Sequence, residues 1–332
     1  MKDRGLFFQR LTTAVRVCAA VGTCLFHAGV QAQPTTVYST GFEATDGFDD
    51  GFSLVGKGGW IGIGADGKGQ SNGSGMVTDF FGGQGQQAYV GFDPLTGTND
   101  SLNVWRPLNL DPVASGAPVV SFSVSMAVFD STNGAYDSFR WSVYNTEGGG
   151  ERLFTIDFDN STLDVNYLLD DGVFVSTGFT FENDGIYDLA VLMDFAGNNW
   201  SATLNGAQIV NSKPITTTGA ALTLGDIDAV WVYGPYTNAP GNNFMVFDDY
   251  KVTAEAAPPA PFSLQTLGYL SNGSFLLHLT GEQGRDYAME VSTNLTSWTS
   301  IKTNNATDGS FDFVDSSASG LARRFYRARL VP

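Results

Sequence analysis

Acidic side chains are the residues of this sequence best suited to chemistry, and their spacing decides which chemistry is open to them. The chain carries 34 Asp and Glu against 17 Lys and Arg, a formal net charge of −17. Retaining glycoside hydrolysis needs two carboxyl groups about 5 Å apart. The Glu-x-Asp-x-x-Glu arrangement that would place them on one strand is absent.

Histidine and cysteine are almost absent, which removes several other kinds of chemistry. The two cysteines, Cys18 and Cys24, and His27 all lie near the N-terminus, which leaves His278 as the one remaining histidine. A Ser-His-Asp triad, a zinc site, or elimination by a histidine and a tyrosine would each need a histidine in the central part of the chain. The sequence therefore predicts that the protein is not an enzyme.

Aromatic side chains give a second functional interpretation. In the segment from Phe139 to Tyr144, Arg140 alternates with apolar residues and is expected on an outer face. Trp231 and Tyr233 share a face of a later strand, and Tyr236 follows in a loop. An exposed aromatic among these three, assisted by Arg140, is predicted to bind a sugar ring, although a Trp on a strand is more often a core residue.

The first 32 residues resemble a secretory signal peptide. Four basic residues precede an uncharged apolar run from Val17 to Phe26, and small residues stand before a cleavage point between Ala32 and Gln33. The run is about half the length that a membrane-spanning helix needs. The mature protein is predicted to be secreted or held at the cell surface, with no transmembrane segment; a buried N-terminal helix and lipidation at Cys24 are the alternatives.

Charge and composition divide the rest of the chain. A protein this acidic is not expected to bind nucleic acid or an anionic membrane. Prolines cluster between Ala254 and Pro261 and predict an extended linker. The expected layout is a signal peptide (1–32), a large domain (33–253), a linker (254–261) and a small domain (262–332). An exported chain without cysteine in its mature part points towards bacteria.

Alternating apolar residues predict an all-β protein, and two places predict strand register. Pairing Ile156 with Val165 puts the apolar residues of two strands on one face and sets Asp157 opposite Asp164. Pairing Met193 with Ala202 does the same for the next hairpin. The expected fold is a jelly-roll β-sandwich followed by a small immunoglobulin-like β-sandwich.

Several short motifs carry a family resemblance. Gly41-Phe42-Glu43, the hairpin from Trp200 to Gly206 and the strand Phe247-Asp248-Asp249-Tyr250 resemble concanavalin A-like or laminin G-like jelly rolls, and β-sandwich carbohydrate-binding modules. The resemblance implies a structural calcium ion that joins the first and last strands of the large domain. Its implied ligands are Glu43 with Asp248 or Asp249.

The C-terminal part resembles a small fibronectin- or immunoglobulin-like domain found in secreted proteins of Verrucomicrobia. The motifs are Gly284-Arg285-Asp286-Tyr287, a run ending at Trp298, and Arg324-Phe-Tyr-Arg327. Taken together, the sequence predicts a non-catalytic module that binds a polysaccharide or an extracellular matrix component. A purely structural surface protein is the first alternative, and a glycan-active hydrolase or lyase with an unrecognised site is the second.

Overall fold

The computed structural model describes residues 24–26, 33–48, 53–63, 73–92, 100–233, 240–257, 261–319, 321 and 323–331. Within these ranges the chain forms β-strands and one short 3-10 turn, Ala44–Asp46, and no α-helix. The prediction of an all-β sandwich protein is therefore confirmed. The predicted signal cleavage point at Ala32, the loop residue Tyr236 and part of the predicted linker lie outside the described residues.

Twenty-two strands make up the described part of the chain, numbered here in chain order. They are β1 (Cys24–Phe26), β2 (Thr35–Thr40), β3 (Ile61–Ile63), β4 (Ser74–Thr78), β5 (Gln86–Gly91), β6 (Ser101–Trp105), β7 (Val119–Phe129), β8 (Ser138–Tyr144), β9 (Arg152–Asp159), β10 (Asp164–Leu169) and β11 (Phe174–Thr180). They continue as β12 (Tyr187–Asp194), β13 (Asn199–Leu204), β14 (Ala207–Lys213), β15 (Asp226–Val232), β16 (Phe244–Glu255), β17 (Phe262–Tyr269), β18 (Phe275–Thr280), β19 (Asp286–Ser292), β20 (Thr299–Asn305), β21 (Ser310–Asp315) and β22 (Phe325–Leu330).

The chain divides into two compact units. One comprises residues 33–257, and the other comprises residues 258–332 together with the N-terminal segment that contains β1. Strand β16 continues to Glu255, two residues into the stretch for which the prolines predicted a linker.

Two antiparallel sheets form the large unit. The seven-stranded sheet has the order β11-β10-β9-β8-β15-β6-β3, and the eight-stranded sheet has the order β14-β13-β12-β7-β16-β5-β4, with β2 also pairing with β16. Alternate residues of both sheets point into one shared core. Phe154 of β9 stacks on Trp200 of β13 with ring centroids 4.0 Å apart, so the two sheets pack face to face as a β-sandwich.

The register between β9 and β10 differs from the prediction. Val165 pairs with Phe158 rather than with Ile156, a shift of two residues. The connecting turn is longer than expected, because the backbone N–H of Leu163 bonds to the carbonyl of Asp159 at 2.8 Å. Because side chains alternate with a period of two, a shift of two keeps every apolar side chain on the predicted face.

The predicted register of the hairpin formed by β12 and β13 is wrong in the same way. Met193 pairs with Trp200 rather than with Ala202, again two residues from the predicted register. The carboxylate of Asp194 accepts the backbone N–H of Gly197 at 2.8 Å, which closes a four-residue loop. The turn was predicted at Gly197-Asn198 alone, which would have been two residues shorter.

The small unit has two sheets of its own. One has the order β1-β17-β18-β21 and the other β20-β19-β22. Buried residues from both sheets, such as Leu277 and Tyr287, share a separate core. Strand β1 lies antiparallel to β17, with Leu25 opposite Ser263. In the described part of the chain, no helix is long and apolar enough to cross a membrane.

Candidate functional site

The predicted aromatic platform is not on the surface. Trp231 and Tyr233 are 0% and 6% exposed and belong to the core of the large unit. Strand β15 pairs Trp231 with Phe139 and Val230 with Arg140, so Trp231 and Arg140 project from opposite sides of the seven-stranded sheet. The prediction that Trp231 or Tyr233 is an exposed ring beside Arg140 is wrong; Tyr236 lies outside the described residues.

A buried carboxylate anchors the Trp231 indole. Trp231 Nε1 donates to Oδ2 of Asp137 at 2.9 Å, and the same oxygen accepts the backbone N–H of Gly241 and Nδ2 of Asn243. Burial raises the pKa of Asp137, while these three donors act in the opposite direction. The arrangement satisfies a buried carboxylate, and it makes Trp231 a structural residue.

Arg140 does lie on the outer side of the sheet, as predicted. Its Nε donates to Oδ1 of Asp157 at 2.6 Å, and its guanidinium carbon lies 5.2 Å from the centre of the Phe174 ring. Burial raises the pKa of Asp157, and the Arg140 charge offsets part of that rise. Asp157 pairs with Asn166 on β10, not with Asp164 as predicted.

Polar side chains extend from Arg140 in rows across the neighbouring strands. One row runs from Asn166 on β10 through Asp157 and Arg140 to Val230 on β15 and Asn103 on β6. We call the polar side chains on this side of β6, β8, β9, β10 and β15 the outer polar face. Its members are Asn103, Arg140, Ser142, Tyr144, Thr155, Asp157, Asn166, Asp226 and Asp228.

The outer polar face has two levels. Ser142 and Thr155 are buried and hydrogen-bond to each other at 2.8 Å. Arg140, Tyr144 and Asn103 are half-buried and reach the surface. The outer polar face therefore combines buried, hydrogen-bonded side chains with half-buried side chains that a ligand could reach.

Asp226 and Asp228 form the acidic end of the outer polar face. Asp226 lies opposite Tyr144 and Asp228 lies opposite Ser142. Nδ2 of Asn103 donates to Oδ2 of Asp228 at 2.9 Å. Burial, followed by the Asp226 charge, raises the pKa of Asp228 well above its usual value, and burial raises the pKa of Tyr144 to about 12. Clusters of perturbed groups mark candidate functional sites.

Sequence analysis placed Arg140 on this side of the sheet but missed most of its partners. Asp226, Asp228 and Asn103 were not predicted as site residues. Their alternation with Ile227 and Leu102 was the available signal. The neighbours of each strand come from distant parts of the chain, so no local pattern joins them.

A different surface occurs on the outside of the eight-stranded sheet. Phe129 and Phe244 stack with centroids 4.9 Å apart, and Phe80 and Phe92 are 40% and 55% exposed beside them. Phe80, Phe92 and Phe244, together with Tyr89, line a largely apolar groove of about 460 Å³. These aromatic residues were not predicted as a site, because they come from four separate segments.

The residues expected to bind calcium lie near the junction of the first and last strands of the large unit, where Thr40 of β2 pairs with Tyr250 of β16. Glu43 accepts the backbone N–H of Gln86 at 3.0 Å. Asp248 is buried and accepts Nε2 of Gln87 at 3.2 Å. Burial raises the pKa of Asp248 to about 6, and the nearby Asp249 and Glu43 add to the rise. Among the described residues, no group of three or more acidic, histidine or cysteine side chains is placed to hold a metal ion.

Comparisons with known proteins identify no family. No family model and no curated protein matches the chain. Solved structures that align with it include a carbohydrate esterase from the Shiga toxin-encoding bacteriophage phi24B. The two sequences are 15% identical, and the alignment covers 68% of this chain and 100% of the esterase chain, with a TM-score of 0.43. Lectin II from Ulex europaeus aligns with 8% identity, 61% and 95% coverage, and a TM-score of 0.41.

Two further alignments bear on the question of catalysis. Alginate lyase A1-II′ aligns with 14% identity, 59% and 94% coverage, and a TM-score of 0.42. A sialidase aligns with 9% identity and a TM-score of 0.37, and this chain spans 15% of its length. The prediction that the chain is not an enzyme is therefore corrected: enzymes stand among its structural neighbours, so the missing sequence motifs do not decide against catalysis. Likenesses of this size do not establish catalysis either.

Proposed function

We propose that the large unit binds a polysaccharide or an extracellular matrix glycan through the outer polar face. The observation that carries this proposal is that buried Asp157 holds half-buried Arg140 at 2.6 Å, on the same side of the sheet as the buried Ser142–Thr155 pair and half-buried Tyr144. Sugar hydroxyls need donors and acceptors held at defined positions, and fixed side chains lose little freedom when they bind.

The composition of the face favours an uncharged or weakly charged ligand. The Arg140 guanidinium is already paired with Asp157, and the chain has a net charge of −17. Attraction of a strongly anionic polymer is not expected from such a surface. Affinity per site should be weak, because each hydrogen bond to a sugar replaces one of similar strength to water.

A glycan array, followed by affinity electrophoresis on each hit, tests the proposal. Tyr144→Phe should weaken binding with the fold intact, because it keeps the ring and removes only a hydroxyl group of the half-buried level of the outer polar face. Phe92→Ser in the apolar groove is the matched control and should leave binding unchanged. A reducing-end and unsaturated-product assay on the same glycans shows whether a bound chain is also cleaved.

Other results would contradict the proposal. Loss of binding in Phe92→Ser alone would move the site to the apolar groove of the eight-stranded sheet. No binding across a broad array would support the alternative of a purely structural surface protein.

We also propose that the protein is an exported bacterial one, released as a chain that begins at Gln33. The basic residues and the apolar run before Ala32 support this. Intact-mass measurement of protein recovered from the culture medium should show the loss of residues 1–32. A folded, exported product that retains Met1 would contradict it. We propose in addition that the large unit is concanavalin A-like and that the small unit is immunoglobulin-like.

A structural calcium ion near Glu43, Asp248 and Asp249 is a further part of the proposal. Support comes from the adjacency of β2 and β16 and from the mutual repulsion of these carboxylates, which a hard cation would relieve. A chelator should lower the melting temperature of the large unit and leave that of the small unit unchanged, because a ligand stabilises the state that binds it. Identical melting curves with calcium and with chelator would remove this proposal.

A further inference from the structure

Asp226 and Asp228 bring two carboxyl groups together on one side of a strand. They are two residues apart on β15, so both project to the outer side of the seven-stranded sheet. The two carboxyl groups lie within hydrogen-bonding distance of each other. Like charges this close repel strongly unless something between them supplies positive charge.

Asp228 has an oxygen without a partner. The residue is 5% exposed, and while its Oδ2 accepts Nδ2 of Asn103, no donor among the described residues reaches Oδ1. The ion pairs of the described residues join neither Asp226 nor Asp228 to a basic side chain. A buried carboxylate oxygen with no donor is costly, so an occupant is expected.

The atoms around the pair are mainly oxygens. Tyr144 lies opposite Asp226 and Ser142 lies opposite Asp228, each with a hydroxyl group on the same side of the sheet. The positive charge of Arg152 lies near the Tyr144 hydroxyl and offsets part of the rise that burial causes in its pKa. Carboxylate and hydroxyl oxygens are the donor set of a hard cation, and the amide nitrogen of Asn103 is bound to Oδ2 of Asp228 rather than to Oδ1.

We propose that Asp226 and Asp228 hold a divalent cation, with calcium the best match, on the outer polar face. The ion sits between the two carboxyl groups, bound by Oδ1 of Asp228 and by Asp226, and water completes its shell. The site is separate from the one proposed at Asp248, which belongs to the other sheet.

Calorimetric titration with calcium chloride at pH 7.5 tests the site on the full chain after treatment with chelator. The chain should carry Asp248→Asn, so that the other proposed calcium site makes no contribution. We expect one calcium ion per chain, and a loss of affinity of about tenfold or more in Asp226→Asn and in Asp228→Asn. Asp226 is half-buried, so Asp226→Asn keeps the test decisive if Asp228→Asn fails to fold.

The charge-matched control is Asp164→Asn, which removes a half-buried carboxylate from β10 and should bind calcium as the parent chain does. No calcium binding by the parent chain would overturn the proposal, and so would equal affinity in the parent and in both pair variants. Stabilisation of the pair variants at pH 7.5 without any effect of calcium would show that the pair shares a proton, and it would overturn the cation site. No glycan is present, so failure here leaves the proposed glycan binding untouched.

Discussion

The inner and outer faces of the seven-stranded sheet are built by the same strands and have opposite chemistry. On β8, Phe139 and Trp141 lie in the core, whereas Arg140 and Ser142 alternate with them on the outer polar face. Both faces contain buried side chains, but the inner ones are apolar, whereas the outer ones include the polar side chains of Ser142, Thr155, Asp157 and Asp228 as well as apolar Val230. Burial and hydrophobicity are therefore separate properties of this sheet.

The difference explains why a single site could not combine Trp231 with Arg140. Trp231 contributes to the apolar core and is anchored by Asp137, whereas Arg140 neutralises Asp157 on the other side. Substitutions on the inner face should mainly change stability. Substitutions at the exposed level of the outer face should mainly change binding.

Trp231→Ala is expected to give the largest effect. Removal of a fully buried indole leaves a cavity and deprives Asp137 of one donor, so the free energy of unfolding should fall by about 3 to 5 kcal/mol. Chemical denaturation measures it. Trp105→Ala is the control, because Trp105 is half-buried at the end of β6 and should cost less than about 2 kcal/mol. Equal losses in the two variants would contradict the assignment of Trp231 to the core.

Arg140→Met should lower the free energy of unfolding by about 2 kcal/mol at pH 7.5, because it leaves buried Asp157 without its partner. The folded-state pKa of Asp157 is already raised, so its charged form destabilises the fold as the pH rises through that value. The loss in Arg140→Met should therefore shrink as the pH falls towards 4. Adding Asp157→Asn should restore most of the lost stability at pH 7.5; a double variant as unstable as Arg140→Met would refute the pairing.

Asp248→Asn extends the comparison to a carboxylate buried in the eight-stranded sheet. Its folded pKa of about 6 exceeds the ordinary value near 4, so ionisation costs stability as the pH rises between these values. In the presence of chelator, the variant should be more stable than the parent by about 2 kcal/mol at pH 7.5 and equal to it at pH 3.5. Exposed Asp249→Asn is the control and should show a smaller change. A difference between Asp248→Asn and the parent that does not vary with pH would contradict this explanation.

Tyr144→Phe should have the smallest effect on stability, below about 0.5 kcal/mol, because the ring stays and the hydroxyl lies at the half-buried level. Its effect should instead appear in the glycan-binding assay. Thermal melting and affinity electrophoresis on the same preparation separate the two. A large loss of stability with unchanged binding would place Tyr144 with the structural residues of the lower level.

The period-two alternation predicted which side chains share a face, but it did not predict strand register. The pairings predicted for Ile156 and for Met193 were each wrong by two residues, because the loops that follow are longer than two-residue turns. An error of two preserves the faces and changes every cross-strand neighbour. Asp157 consequently faces Asn166 and Arg140 instead of Asp164.

The sequence by itself determined the all-β class, the strongly acidic character and the outward direction of Arg140, because composition and alternation are local properties of the chain. Only the tertiary structure decided that Trp231 is buried and that Asn103 meets Asp228. The physical reason is that β6, β8 and β15 are adjacent in space and distant in sequence. Which polar groups find partners, and which carboxylates are left to repel each other, depends on that adjacency.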